Sequence, residues 1–335
     1  MPSFQQFPSS KVQYVRIARD EAGQRIDNFL IRWLKGVPKS HIYRVLRKGE
    51  IRVNKGRIKP AYKLAVNDEV RLPPVRYAER GVYRPPDNVL AKIESRIVYE
   101  DDRIMVLNKP PDLAVHAGSG VNYGVIDALR SLQPGKSLFL VHRLDRETSG
   151  CLLIARDRPA MLSLHKAIRD GEIDKYYTAL LMGNWRRGKQ MIDISLQRHR
   201  NRNGGCSAQA SAKGKRAVSI FHPLREYAGG EHATTATLVK IKLVTGRTHQ
   251  IRIHAREIGH PLAGDCRYGN SRFNREMKAN GLRRAFLHAG SVEFPHPDDG
   301  RKIRIESLLD EDLQQILSRL QERKIIRHHE YHKVV

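Results

Sequence analysis

The chain has 335 residues, with 61 Lys and Arg against 35 Asp and Glu, a formal net charge of +26 and a pI of about 10.3. Its 40% of hydrophobic residues is enough to bury a core, which excludes wholesale disorder, and no apolar run reaches the roughly 18 residues of a membrane span. Three scattered cysteines form neither a disulfide framework nor a Cys-x-x-Cys metal site, and Met1 to Ser10 lack an apolar signal stretch, so a reducing, cytoplasmic setting and a polyanionic partner are expected.

Residues 1–19 read as a loose lead-in. The charge is uneven: the first 85 residues hold 19 Lys and Arg and only 7 Asp and Glu. Ile26, Phe29, Leu30 and Trp33 fall at i, i+3, i+4 and i+7, which predicts a helix with one apolar stripe. Gly36-Val37-Pro38 breaks it. A second helix follows from Lys39, with Ile42, Val45 and Leu46 inside and Gly49 placed as its C-cap. Lys39, Arg44, Arg47 and Lys48 lie on or near its outer side. Ile51 to Asn54 reads as a short strand carrying Arg52, and Val66 to Leu72 as a later one. Residues 20–76 thus make a small basic α/β module, fit to meet phosphates. Residues 77–92, with Pro85 and Pro86, read as a linker.

Residues 93–323 have the composition of a larger domain. Strands are predicted at Ile97–Tyr99, Ile104–Leu107, Leu138–Leu144, Cys151–Ala155, Tyr176–Met182, Leu238–Val244, Arg284–Phe294 and Lys302–Ile305. Helices are predicted at Gly124–Gln133, Pro159–Arg169, His249–Ile258 and Asp310–Arg323. Without strict βαβ alternation the fold class is α+β, with a mixed, mainly antiparallel sheet. Residues 197–216 are basic and Gly-rich and read as a mobile loop. Residues 324–335 form a basic tail.

The segment HRLDRETSG (142–150) places Asp145 between Arg143 and Arg146 at the end of an apolar strand. Neighbouring cations keep such a carboxylate ionised, and on a loop it can act as nucleophile or base. The same placement also suits an ordinary loop acid paired with arginine. Fifteen histidines raise the question of a metal, but His249 and His254 lack ligating company, and His328, His329 and His332 sit in the tail.

Two resemblances sharpen this reading. GQRIDNFLIRWLKGVPKSHIYRVLRKGEIRVN (23–54) resembles the RNA-binding domain named after small-subunit ribosomal protein four. HRLDRETSG closely resembles the signature of the RluA family of pseudouridine synthases. NKPPDLAVHAGSG (108–120), DKYYTALLMG (174–183), VTGRTHQIRIH (244–254), GHPLAGDCRYG (259–269) and FLHAGSVEFPHP (286–297) follow the order of that family's other segments. The whole is most similar to the RluC-type members, which modify large-subunit (23S) ribosomal RNA.

The resemblance implies a pseudouridine synthase fold and a reaction that cuts the bond from ribose to N1 of uracil, turns the base and joins ribose to C5. It implies no cofactor and no metal. By motif, Asp145 is the catalytic aspartate, Tyr177 the active-site tyrosine, Arg247 the arginine that pairs with the aspartate, and Leu287 an apolar wall of the pocket. Adjacent strand residues face opposite sides, so only one of Tyr176 and Tyr177 enters the site. The target uridine is expected to leave its stack. His142, Arg143 and Arg146 are expected to meet RNA around it, and Lys39, Arg44, Arg47, Lys48 and Arg52 to grip RNA elsewhere. No membrane and no obligate protein partner is implied, and a monomer is the default. Transfer RNA as substrate and a non-catalytic role in ribosome assembly are the alternatives.

Overall fold

The computed structural model describes residues 12–34, 37, 39–74, 84–117, 122–200, 206–228 and 235–323. The chain divides into two units, Met1–Tyr83 and Arg84–Val335. In the first, β1 (Gln13–Arg16) precedes helices α1 (Ile26–Trp33) and α2 (Lys39–Lys48), then β2 (Arg52–Val53), β3 (Gly56–Arg57) and β4 (Glu69–Leu72). The strands form a sheet in the order β1-β4-β2-β3, antiparallel throughout. The predicted stripe is the buried face: Ile26, Phe29 and Leu30 pack with Ile42, Val45 and Leu46 of α2 and with Val53, Val70 and Leu72 of the sheet. β1 lies inside the stretch read as lead-in. Its four residues show too little alternation to be seen alone, and its partner β4 lies at the far end of the module.

The second unit opens with α3 (Asp87–Glu94), which corrects the linker reading of 77–92 over its last six residues. Pro86 caps the helix rather than stiffening a linker, and Leu90 and Ile93 are buried. The strands β5 (Ile97–Glu100) and β6 (Ile104–Lys109) follow, then α4 (Val125–Leu132), β7 (Phe139–Leu140), β8 (Ser149–Ala155), α5 (Arg158–Asp170), β9 (Asp174–Met182) and β10 (Gln190–Asp193). Next come β11 (Leu196–Arg200), β12 (Cys206–Ala210), β13 (Val218–Ala228), β14 (Ala236–Leu243), α6 (Gln250–Glu257) and α7 (Ser271–Ala279). The chain continues with β15 (Leu287–Pro295), β16 (Lys302–Glu306), α8 (Glu311–Arg319) and β17 (Gln321–Arg323).

Eleven of these strands form one sheet, whose main path is β10-β13-β14-β9-β15-β8-β6-β5. Among the described pairs only β8 and β15 run parallel. The sheet is therefore mixed and mainly antiparallel. Its middle is buried on both faces. Met105 and Leu107 of β6, with Leu152 and Ile154 of β8, face the cluster that includes α3 and α4. Ile104 and Val106, with Cys151, Leu153 and Ala155, face α5 on the other side. Helices α7 and α8 cover a third cluster around Phe273, Phe286, Leu313 and Ile316.

Three further expectations change. Residues 197–216 contain the antiparallel hairpin β11–β12, whose basic, Gly-rich composition conceals it. The final helix stops at Arg319, and residues 321–323 instead pair with β13. Only Phe139 and Leu140 of the predicted strand 138–144 join the sheet. The tail 324–335 lies outside the described residues.

Candidate active site

The segment 142–148 leaves β7 and runs into β8, in the middle of the sheet. β8 and β15 approach closely there, with Ser149 opposite His288 and Gly150 opposite Ala289. Gly150 has φ +104°, and a Cβ on it would lie 2.2 Å from the carbonyl oxygen of Ala289. Only glycine fits that crossing. The loop is held from two further sides. Lys109, fully buried, donates from Nζ to the carbonyls of Pro110 at 2.7 Å, Leu113 at 2.9 Å and Arg146 at 3.0 Å. Arg284, also buried, donates from Nη1 to the carbonyl of Glu147 at 3.3 Å. Its Nε and Nη2 donate to Asp312 within α8, and Nη2 donates also to Asp310 just ahead of that helix.

Asp145 emerges half-exposed from this rigid frame. Its Oδ2 lies 3.4 Å from Nη1 of Arg252 on α6. The same guanidinium forks onto buried Asp265, with Nε 2.6 Å from Oδ2 and Nη2 2.7 Å from Oδ1. Asp265 also accepts the backbone N–H groups of Arg267 and Tyr268, both at 2.9 Å. Burial opposes the charge on Arg252, but its hydrogen bonds to Asp265 and the charges of Asp265 and Asp145 outweigh it and raise its pKa. Burial likewise opposes the charge on Asp265, and the Arg252 hydrogen bonds hold its pKa below the ordinary value. A fixed cation thus faces Asp145, aimed by a second carboxylate behind it.

The arginine beside Asp145 is therefore Arg252, and the expectation of Arg247 is corrected. Arg247 precedes α6, is exposed, and turns its Nε to the carbonyl of Arg216 at 3.2 Å. Arg252 sits inside the helix, on the face turned to Asp265.

Tyr177 of β9 is buried in the apolar cluster that also contains Leu144 and Leu287. Leu287 opens β15 directly opposite Ala179, two residues along β9 on the same side. Burial and the nearby charge of Asp145 raise the Tyr177 hydroxyl's pKa. Tyr176 points the other way, its ring beneath the Nζ atoms of Lys240 and Lys242 at 4.9 and 5.8 Å. Asp145 thus follows Leu144 out of the apolar cluster that holds Tyr177 and Leu287, with the Arg252 guanidinium beside it.

The family model described as RNA pseudouridylate synthase matches residues 103–257, and the S4 domain model matches residues 24–70. The chain is 48% identical to "Ribosomal large subunit pseudouridine synthase C" of Haemophilus influenzae, over 94% of this chain and 97% of the relative. It belongs to the RNA pseudouridylate synthase family. A protein of the same name from Escherichia coli is 49% identical, covering 93% of this chain and 97% of that one. The solved structure "Human RNA Pseudouridylate Synthase Domain Containing 1" matches with TM-score 0.55 and 26% identity, over 68% of this chain and 88% of that one. "Human RNA Pseudouridylate Synthase Domain Containing 4", at 21% identity and TM-score 0.57, covers 71% and 97% and shares the fold.

The remaining predicted contacts of this synthase divide. Arg143 and Arg146 are exposed, and Arg146 also donates from Nε to the carbonyl of Asp112 at 2.9 Å. His142 departs from expectation. Its Nε2 accepts the N–H of Leu153 at 3.1 Å, and burial pushes its pKa down to about 3. It is a neutral anchor for the loop and not a cation offered to phosphate. In the S4 domain, Lys39, Arg44, Arg47, Lys48 and Arg52 are all exposed. Sequence reasoning missed Asp265, Lys109 and Arg284. The Lys-Pro of 109–110 and the Gly-Asp of 264–265 lie in matched segments, but nothing local says that these charges are buried.

Proposed function

We propose that this synthase converts uridines of large-subunit ribosomal RNA to pseudouridine, with Asp145 as the reacting carboxylate. The observation that carries the assignment is the Arg252 guanidinium, forked on Asp265 and turned to Asp145. The proteins it resembles over nearly their whole length are named for that substrate and reaction.

The net reaction is an isomerisation: C1′–N1 breaks, C1′–C5 forms, one proton leaves C5 and one reaches N1. Asp145 acts on the sugar or base, and Arg252 aims its carboxylate. Tyr177 lies under the uracil, where its ring offers a stacking face. Leu287 closes the wall so that the detached base neither escapes nor meets water. Arg143 and Arg146, exposed beside Asp145, bind phosphates flanking the flipped nucleotide, and the exposed cations of the S4 domain bind structured RNA. Acting on ribosomal RNA supports a cytoplasmic setting.

Mapping pseudouridine in RNA from a strain lacking the gene tests this reading. Specific large-subunit uridines should lose modification and regain it with the wild-type gene but not with Asp145→Asn, which should still bind RNA. Loss confined to transfer RNA would overturn the substrate, and rescue by Asp145→Asn would overturn the catalytic assignment.

A further inference from the structure

His249 stands beside Asp145 and has no part in the roles above. It begins α6 with φ 55° and ψ 24°, a left-handed conformation that few residues other than glycine adopt without being held there. Its Nδ1 lies 2.8 Å from the hydroxyl of Tyr268, and its Nε2 lies 4.0 Å from Oδ1 of Asp145. Arg252 occupies the side of the other carboxylate oxygen.

The Tyr268 hydroxyl is itself committed. It accepts the N–H of Ala208 at 3.3 Å and donates to the carbonyl of Ala208 at 3.1 Å, capping the edge of β12 at two points. A hydroxyl has one proton to give. With that proton on the Ala208 carbonyl, the oxygen can only accept from His249, so the imidazole hydrogen sits on Nδ1. A neutral ring in that tautomer carries a bare lone pair on Nε2. The 4.0 Å gap to Oδ1 is too long for a hydrogen bond and suits two acceptors facing each other.

The charges around the ring act in both directions. From the catalytic loop Asp145 favours the imidazolium. From α6 Arg252 opposes it. From the segment after α6 Arg267 opposes it and Asp265 favours it. Burial is the largest influence and tips the ring toward the neutral form.

We propose that His249 is a positioning residue for Asp145. Locked as the Nδ1–H tautomer by Tyr268 and the edge of β12, it leaves Oδ1 of Asp145 without a donor and therefore reactive near neutral pH. A proton gained at Nε2 in acid turns the ring into a donor, ties Oδ1 down and silences the carboxylate. The proposal rests on Asp145 being the reacting carboxylate.

The test is the pH profile of kcat for the full-length protein on its RNA substrate, with two variants. His249→Asn keeps a side chain tolerant of the left-handed backbone and an amide that can donate to Tyr268, but cannot titrate. It should lose the acid limb. Tyr268→Phe frees the ring to carry its hydrogen on Nε2 and should lower kcat at neutral pH at least tenfold, with KM within threefold of wild type. The 15N shifts of the wild-type imidazole, assigned by their disappearance in His249→Asn, should show hydrogen on Nδ1. An acid limb that survives His249→Asn, an unchanged kcat in Tyr268→Phe, or hydrogen on Nε2 in the wild type overturns the proposal. Asp145→Asn should be inactive at every pH in either case; an active Asp145→Asn would instead remove the reading on which the proposal rests.

Discussion

Arg252 serves two carboxylates at once, and that double duty defines what the position tolerates. A lysine carries one compact ammonium and cannot fork onto Asp265 while reaching Asp145. Arg252→Lys should lower kcat about 100-fold with little change in RNA affinity, whereas Arg247→Ala should leave kcat within about threefold. Arg252→Met abandons a fully buried aspartate and should cost about 3–5 kcal/mol of stability, read from urea unfolding. Lys109 is the other buried charge with a readable consequence. Burial, followed by the charge of Arg284, pushes its pKa down to about 7. Between that value and the ordinary lysine range the unfolded chain binds a proton that the folded chain does not. Stability should therefore rise with pH through that window. Lys109→Met should flatten that rise, measured as the difference between the two unfolding curves at pH 7.5 and 9.5.

Elements with period-two alternation were legible in the sequence. Val239, Ile241 and Leu243 marked β14, and the opposed faces of adjacent strand residues correctly separated Tyr177 from Tyr176. The stripe of α1 was equally clear. Elements defined by distant partners were not. β1 becomes a strand only through β4, and the hairpin β11–β12 has the composition of a loop. The expectation of Arg247 failed for a related reason. Arg247 and Arg252 lie in one matched segment, and the left-handed turn at His249 between them sends one outward and the other into the core. At this scale the tightest constraint is the crossing of β8 and β15. Gly150→Ala forces a methyl into the Ala289 carbonyl at a positive φ and should destabilise the protein by at least about 2 kcal/mol. Part of the activity should go with it, since Asp145 lies five residues upstream.

For the whole molecule the charge of +26 is a statement about holding RNA, not about the reaction. Affinity should fall steeply with salt, by about 0.7–0.9 in the logarithmic slope for each phosphate contact. Replacing Lys39, Arg44, Arg47, Lys48 and Arg52 with glutamine should flatten that slope and raise KM while leaving kcat at saturating RNA nearly unchanged. Filter binding across a salt series reads the first effect and steady-state kinetics the second. The ties of Arg284 to Glu147, Asp310 and Asp312 also impose an order in time. The loop bearing Asp145 is braced by residues that leave the ribosome only after about half of the chain has followed it. At about 5–20 residues per second, Asp145 waits roughly ten to thirty seconds for its brace. The S4 domain, complete within the first 83 residues and with a core of its own, is made long before. A nascent chain of this protein acquires its grip on RNA first, and its chemistry last.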